Sequence, residues 1–252
     1  MKNPKHILIT GASGGLGAAL AQIYAAPGVS LSLHGRSEVR LDAVARKARA
    51  KGAQVSTQTG DVTEEKGLMA WIAERDHATP LDLVIANAGV SGGTLHGGET
   101  FDQAKAIMAI NICGVLNTVH AALPFMMARK KGQMALMSSL AGFRGFAGAP
   151  AYGASKAAVR VYGEGLRAEM AAYGVDINVI CPGFIKTPMT DVNTFPMPFL
   201  MSAEKAAHII RKGLARNKAC LAFPWPMAWA ARSLSFLPQT LMDVLAVRLP
   251  KK

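Results

Sequence analysis

His6-Ile7-Leu8-Ile9-Thr10-Gly11-Ala12-Ser13-Gly14-Gly15-Leu16-Gly17 is an apolar run, a glycine loop and the opening of a helix. His6 to Thr10, bounded by Pro4 and Gly11, has the length and β-branched content of a buried strand. A helical pattern follows to about Ala26. This order presents backbone N–H groups and a helix N-terminus to a phosphate. Glycine lets the backbone approach a ligand closely and take positive φ. The spacing is G-x-x-x-G-x-G, at Gly11, Gly15 and Gly17, not the commoner G-x-G-x-x-G. A plain βα turn would satisfy the same residues, so the chain on either side has to decide.

Outward from this unit the alternation repeats. Strands are expected at Val29 to His34, Gln54 to Thr59, Leu81 to Ala86, Gln133 to Ser138, Val175 to Cys181 and Ala219 to Phe223. Helices are expected between them: to about Lys51, Glu64 to His77, Phe101 to Arg129 with a break near Gly114, Pro150 to about Tyr173, and Glu204 to about Arg216. Such alternation predicts an α/β fold, a parallel sheet with helices on both faces. Right-handed crossovers place the strand ends carrying Gly11, Asn87, Ser139 and Pro182 along one edge. Ligands of such sheets bind at that edge, near the switch in strand order. At 252 residues, with no repeat or linker, the chain reads as one domain spanning 1–252. Residues 184–201, rich in Pro, Met and Phe, have the length of a lid or binding loop.

Half of the residues are hydrophobic, ample for a large core. The net charge of +12 would suit nucleic acid or an anionic membrane. The basic residues are scattered except toward the C-terminus, and no zinc-finger or RNA-module pattern occurs, so nucleic acid is not expected. Cys113, Cys181 and Cys220 form no metal-ligand cluster and are expected to be buried small hydrophobes in a reducing compartment. His34, His77, His120 and His208 lack ligand spacing, so no metal is expected. The N-terminus lacks a signal-peptide core and no spanning run is expected, which points to a soluble cytoplasmic protein.

The chemistry centres on Tyr152-Gly153-Ala154-Ser155-Lys156. On a helix, Tyr152 and Lys156 lie one turn apart on one face. A free tyrosine titrates near about 10, and a neighbouring positive charge favours its phenolate. Tyr152 is then a general acid for a carbonyl oxygen, or a base for the reverse reaction. Such a pair also occurs on solvated helix faces, so it needs company. Arg36, just after the second strand, stands where an adenosine ribose would lie and would attract a 2′-phosphate; an exposed helix-start arginine reads equally well. Asn111 in mid-helix is mildly unfavourable and either bonds to backbone or serves a site.

Together these pieces resemble a classical short-chain dehydrogenase/reductase, over residues 5 to about 223. The resemblance rests on Thr10 to Gly17, Asp61-Val62, Asn87-Ala88-Gly89, Asn111, Ser139, Tyr152-x-x-x-Lys156 and Pro182-Gly183, in the family's order and spacing. It implies a Rossmann-type doubly wound sheet of seven strands, order 3-2-1-4-5-6-7, and an oxidoreductase. It implies that Gly11, Ser13, Gly15 and Gly17 cradle a pyrophosphate with Leu16 beside them, and that Asp61 and Val62 hold the adenine. Asn87, with Ala88 and Gly89, would border the cofactor, and Pro182, Gly183, Ile185 and Thr187 would wall its nicotinamide side. Tyr152 would protonate the carbonyl oxygen, Ser139 would donate to the same oxygen, Lys156 would lower the Tyr152 pKa and bind the nicotinamide ribose, and Asn111 would anchor a water. Gly35, where NAD-preferring members often carry an acid, followed by Arg36, implies NADP(H). Gly14 stands where many NADP members carry a second basic residue, so NAD(H) stays open. The alternatives are an NAD-linked alcohol dehydrogenase or a dinucleotide-binding scaffold without turnover. Family members are often homodimers or homotetramers.

The resemblance puts the substrate between the loops near 91–98, 140–150 and 184–201, within a substrate-loop region of 184–218. Those loops carry Leu95, Leu140, Phe143, Phe146, Met189, Phe195, Met197, Phe199 and Met201, with His96 and Arg144 as polar exceptions. An apolar ketone or acyl-type substrate is expected; ordinary packing of a loop reads these side chains equally well. The extension 224–252 carries Trp225, Trp229, Phe236, Leu237, Leu241, Leu245 and Leu249 among Arg232, Arg248, Lys251 and Lys252. Short amphipathic helices split by Pro238 would fit a membrane surface, a pocket cover or a subunit interface.

Overall fold

Alternating side chains along each strand set the layers. In β1 (His6–Thr10), Ile7 and Ile9 enter one core and Leu8 the other. In β4 (Leu83–Ala86), Leu83 and Ile85 face the first core, Val84 and Ala86 the second. A strand buried on both faces belongs in the middle of a parallel sheet. The computed structural model describes residues 1–92, 98–145, 147–193, 195–238 and 240–241.

The other strands of the main sheet are β2 (Ser30–Gly35), β3 (Gln54–Thr59), β5 (Gly132–Met137), β6 (Val175–Pro182) and β9 (Cys220–Phe223). All pairs are parallel, in the order β3-β2-β1-β4-β5-β6-β9. This is the expected seven-stranded Rossmann-type sheet. Two-residue strands β7 (Ile185–Lys186) and β8 (Met201–Ser202) pair separately and tie off the ends of the 184–201 loop. Helices α1 (Gly15–Tyr24), α2 (Glu38–Arg49) and α7 (Ala203–Ala215) cover the first core. Helices α3 (Glu65–Ala78), α5 (Gly114–Ala128) and α6 (Pro150–Met170) cover the second. The chain leaves β1 in one direction for β2 and β3, then returns past it to β4. That reversal places a ligand crevice between the C-terminal ends of β1 and β4.

Three details depart from the sequence reading. The break expected near Gly114 is a π-helical turn, Ala109–Cys113, between α4 (Phe101–Met108) and α5. The continuous stretch Phe101–Ala128 is long and apolar enough to cross a membrane, although no spanning run was expected. Half of its most apolar window is buried, and α5 packs on α3 and the sheet as a core helix does. The cysteines also differ from expectation. Cys113 is exposed, and Cys181 and Cys220, distant in sequence, bring their sulfurs to 4.0 Å on neighbouring strands.

The α3 side of β2 is polar, with Ser32 and His34 both buried. His34 packs beside Trp71, ring centroids 6.0 Å apart, and its buried Nδ1 has no partner among the described residues. Burial lowers its pKa to about 4, only partly opposed by Asp61. The unfolded chain, titrating near about 6.5, therefore holds this proton at pH values where the folded chain does not. Stability should fall as pH falls from about 6.5 to about 4, by about 3 kcal/mol from this group. His6, lowered by burial, acts in the same direction. Urea unfolding at pH 7 and pH 4.5 should show a smaller acid loss for His34→Leu than for the wild-type chain; equal losses would refute the assignment.

Candidate active site

The glycine loop is shaped by close backbone approach. Gly11 has φ +68, and a Cβ on Gly17 would sit 2.2 Å from the Gly11 carbonyl oxygen. Only glycine fits at both positions. The loop leads directly into α1, whose first N–H groups have no partner within the helix. Gly14 is extended and has open space where a Cβ would stand. Across the crevice, Thr187 comes to 3.1 Å of the Cβ position at Gly15. Ser13 fills the space beside Gly35, 2.9 Å from where a Cβ would be.

Asn87, at the end of β4, braces this loop. Its side-chain amide donates to the carbonyls of Thr10 and Gly11, at 3.0 and 3.3 Å. The Thr10 hydroxyl accepts from the backbone N–H groups of Asn87 and Ala88, at 3.1 and 3.2 Å. Thus Asn87 reaches the crevice as a support of its floor. Val62 is buried against Gly114, and its carbonyl accepts from Asn117 at 2.9 Å. Ile185 turns into the first core. Arg36 is largely exposed and lies 3.9 Å from Asp61. Burial alone would raise the Asp61 pKa, but bonds from Thr63 and the charge of Arg36 outweigh it and hold the carboxyl below its usual range.

The second half of the site gathers where β5 and β6 end. Ser139 accepts from the Ala141 N–H at 3.1 Å, donates to the Pro182 carbonyl at 3.4 Å, and its side chain hydrogen-bonds that of Tyr152. Lys156 is buried one turn from Tyr152, and its Nζ donates to the Met137 carbonyl at 2.9 Å and lies 5.8 Å from the tyrosine ring centroid. The Ser138 hydroxyl holds the Lys156 carbonyl at 2.7 Å. Asn111, fully buried in the π-helical turn, accepts from the Val90 N–H at 2.8 Å and donates to the Val90 carbonyl and the Ser155 hydroxyl, both at 3.0 Å. A π turn widens a helix by one residue and recurs at functional sites. Here it turns Asn111 toward α6. A Cβ on Gly89 would sit 3.1 Å from Asn111 Oδ1 and 3.3 Å from Lys156 Nζ, so this glycine closes the gap between strand end and helix.

Electrostatics correct one expectation. Burial raises the Tyr152 pKa, with the Ser139 bond only partly offsetting it, where the sequence reading expected Lys156 to lower it. Burial also lowers Lys156 to about 8. Removal from water disfavours both charged forms.

Glu99 was missed in the sequence. Its carboxylate accepts from the backbone N–H groups of Ala151 and Tyr152, at 2.5 and 3.1 Å, and caps the helix that carries the tyrosine. The N-cap residue is Ala149, whose side chain makes no cap bond, so a negative charge from 52 residues away does the capping. No local pattern marks such a contact. Glu99→Gln should lower stability by about 1 kcal/mol. It should also cut turnover severalfold through loosened placement of Tyr152; an unchanged melting temperature and unchanged kcat would remove this role. Among the other expected pocket residues, Leu95, His96 and Phe146 lie outside the described residues.

The glycine loop, Arg36 and a Tyr–Lys–Ser–Asn cluster therefore share one sheet edge. The family model for short chain dehydrogenases matches residues 5–195. An uncharacterized oxidoreductase of Myxococcus xanthus is 42% identical over 243 residues, covering 96% of each chain. A short-chain dehydrogenase from Sphingobium yanoikuyae, solved with NADPH, superposes with a TM-score of 0.80 at 28% identity, covering 94% of each chain. A bulky-bulky ketone specific alcohol dehydrogenase from Comamonas testosteroni gives a TM-score of 0.80 at 26% identity, covering 96% of this chain and 94% of that one. With motif order, sheet order and site geometry in agreement, the chain belongs to the short-chain dehydrogenase family and is an oxidoreductase of the NAD(P)-dependent kind.

Proposed function

We propose that this protein reduces an apolar ketone or acyl-type carbonyl compound to an alcohol, with NADPH as its cofactor. The observation that carries this reading is the convergence of Ser139, Tyr152 and Lys156 at the end of β5, beside the glycine loop. The glycine loop suits a dinucleotide, because Gly11 and Gly17 let the backbone fold tightly against itself and Asn87, and Gly14 leaves open space at the start of α1 where a pyrophosphate would lie. Gly11, Ser13, Gly14, Gly15, Leu16 and Gly17 would hold the phosphates, and Arg36 the 2′-phosphate. Asp61, Val62, Asn87, Ala88 and Gly89 would border the adenosine half; Pro182, Gly183, Ile185 and Thr187 the nicotinamide half. When bound, the cofactor supplies the hydride for the carbonyl carbon.

The protein's own work is proton delivery and charge stabilisation. The Tyr152 hydroxyl donates its proton to the carbonyl oxygen, and its raised pKa keeps that proton in place until the oxygen becomes basic. The Ser139 hydroxyl donates a hydrogen bond to the same oxygen as negative charge develops there. The Lys156 ammonium favours the phenolate left behind. Asn111 holds the Val90 backbone and Ser155 in place, which fixes the α6 turn between Tyr152 and Lys156.

Apolar side chains around the cluster support the proposed substrate class. Leu140 is buried at the end of the Ser139 loop, with Phe143 and Met227 packed nearby. Phe184 and Phe195 meet edge-on, centroids 5.8 Å apart, in the 184–201 segment. NADPH oxidation should be measured with ketones of increasing chain length. kcat/KM should rise about threefold or more per added methylene, the worth of burying one such group. A preference for small polar ketones would overturn the substrate assignment.

NAD(H) is the second reading, favoured by the bare Gly14 and by the ion pair that already engages Arg36 with Asp61. Direct comparison of NADPH and NADH affinities separates the two.

A further inference from the structure

We infer that Cys181 and Cys220 form a thiol pair that hydrogen peroxide converts reversibly to a disulfide, with Cys220 as the sulfur that reacts first. Their sulfurs lie 4.0 Å apart. Cys181 is buried near the end of β6, whereas Cys220, the first residue of β9, is partly open to solvent. Helix α8 (Trp225–Ser235) packs over both and brings the Arg232 Nη2 to 3.8 Å from the Cys220 sulfur. A small oxidant can therefore reach a sulfur that has a guanidinium on one side and a second thiol on the other, the surroundings of a reactive cysteine.

The two thiols are unequal. The bond to Cys181, and then Arg232, favour the thiolate of Cys220 and outweigh its partial burial. The same sulfur contact and full burial keep Cys181 protonated. One thiolate beside one thiol is the division of labour that attack and resolution require. The Cys220 thiolate attacks a peroxide oxygen, the O–O bond breaks, and the departing hydroxide takes up the proton that Cys220 released, leaving as water. Cys220 is then a sulfenic acid. The Cys181 sulfur displaces that oxygen, which leaves as a second water with the Cys181 proton. Two thiols are oxidised and one peroxide is reduced to two waters.

Closing the bond asks for a local shift. Cys220 pairs in register with Val179, two residues before Cys181, so the thiols meet diagonally across the strands. The sulfurs must close from 4.0 Å to about 2.05 Å. β9 is the edge strand and is held on one side only, so its first residue is free to be drawn toward β6. A disulfide that draws strands together in this way is readily reduced again.

The pair also borders the candidate site. Cys181 hydrogen-bonds Ser138, which holds the Lys156 carbonyl, and precedes Pro182, whose carbonyl accepts from Ser139. Arg232, the cation beside Cys220, lies 5.5 Å from the Phe143 ring. Oxidation would take the thiolate from Arg232 and pull on the strand end under Ser139. The oxidation itself does not depend on the proposed reaction.

The test needs neither cofactor nor substrate. The folded full chain is treated with hydrogen peroxide, quenched with catalase, unfolded, alkylated with N-ethylmaleimide and digested for mass spectrometry. Cys181 and Cys220 should be recovered as one linked pair of peptides, about 2 Da lighter than their sum, while Cys113 is alkylated. Dithiothreitol should restore alkylation at both. In Cys181→Ser the reaction should stop at a sulfenic acid on Cys220, trapped by dimedone. In Cys220→Ser the loss of the Cys181 thiol should be at least about tenfold slower. The wild-type linkage stands without either variant. Recovery of Cys181 and Cys220 as free thiols after peroxide would overturn the inference. So would a wild-type chain that accumulates sulfenic or sulfinic acid at Cys220 with no link to Cys181, or a Cys220→Ser variant that loses the Cys181 thiol at the wild-type rate.

Discussion

Tyr152→Phe should lower kcat by about a thousandfold, within the range by which a positioned general acid speeds a reaction. The NADPH dissociation constant should change by less than about threefold, because one hydrogen bond at most is lost from the bound state. The substitution removes the hydroxyl alone and leaves the ring its place beside Lys156. Ser139 remains to steady the carbonyl oxygen, so some activity should persist. The pH dependence should carry a second mark of the cluster. With Lys156 lowered to about 8 and Tyr152 raised, the free protein at neutral pH holds a protonated phenol beside an ammonium close to losing its charge. Carbonyl reduction should therefore be level below about pH 7, and kcat/KM should fall as pH rises through about 8, where the ammonium is lost. A rise through that interval would contradict the assignment.

Arg36→Asp should reduce kcat/KM with NADPH by about a hundredfold and turn the preference toward NADH, since the charge-assisted pair is replaced by repulsion between two anions. Arg36 is exposed at the end of β2, within 3.9 Å of Asp61, so a 2′-phosphate competes with that carboxylate for the guanidinium. Position 36 is the practical place for the change. At Gly35 a side chain would meet Ser13 at 2.9 Å and disturb the phosphate loop. The converse substitution, Gly14→Arg, meets nothing within 4 Å and should strengthen NADPH binding severalfold by adding the second cation. Cofactor affinities of the three proteins, read by fluorescence titration, give the comparison. Unchanged NADPH preference in Arg36→Asp would show that Arg36 does not read the phosphate.

The sheet was legible because its strands are short apolar runs between glycine turns, and because parallel strands must alternate with helices. β1, the glycine loop and α1 fall where the sequence places them. The pairing of Tyr152 with Lys156 follows from helix spacing alone. The long-range contacts did not follow. Glu99 caps α6 from 52 residues away, and Cys181 meets Cys220 only because β6 and β9 are neighbours. The π turn that aims Asn111 depends on packing between α4, α5 and α6 rather than on a local signal. The sense of the Tyr152 shift was misread for a related reason. Spacing gives the distance to a charge, whereas burial, the larger influence here, depends on the whole fold.

The proposed reaction depends on a phenol placed to hand its proton to a carbonyl oxygen. A crystal structure with NADPH and an unreactive ketone analogue addresses this most directly. The expected result is the analogue oxygen within about 2.6–3.2 Å of both the Tyr152 and Ser139 hydroxyls, the reach of proton donation. A Tyr152 hydroxyl turned out of the crevice, with the analogue oxygen bound elsewhere, would contradict it.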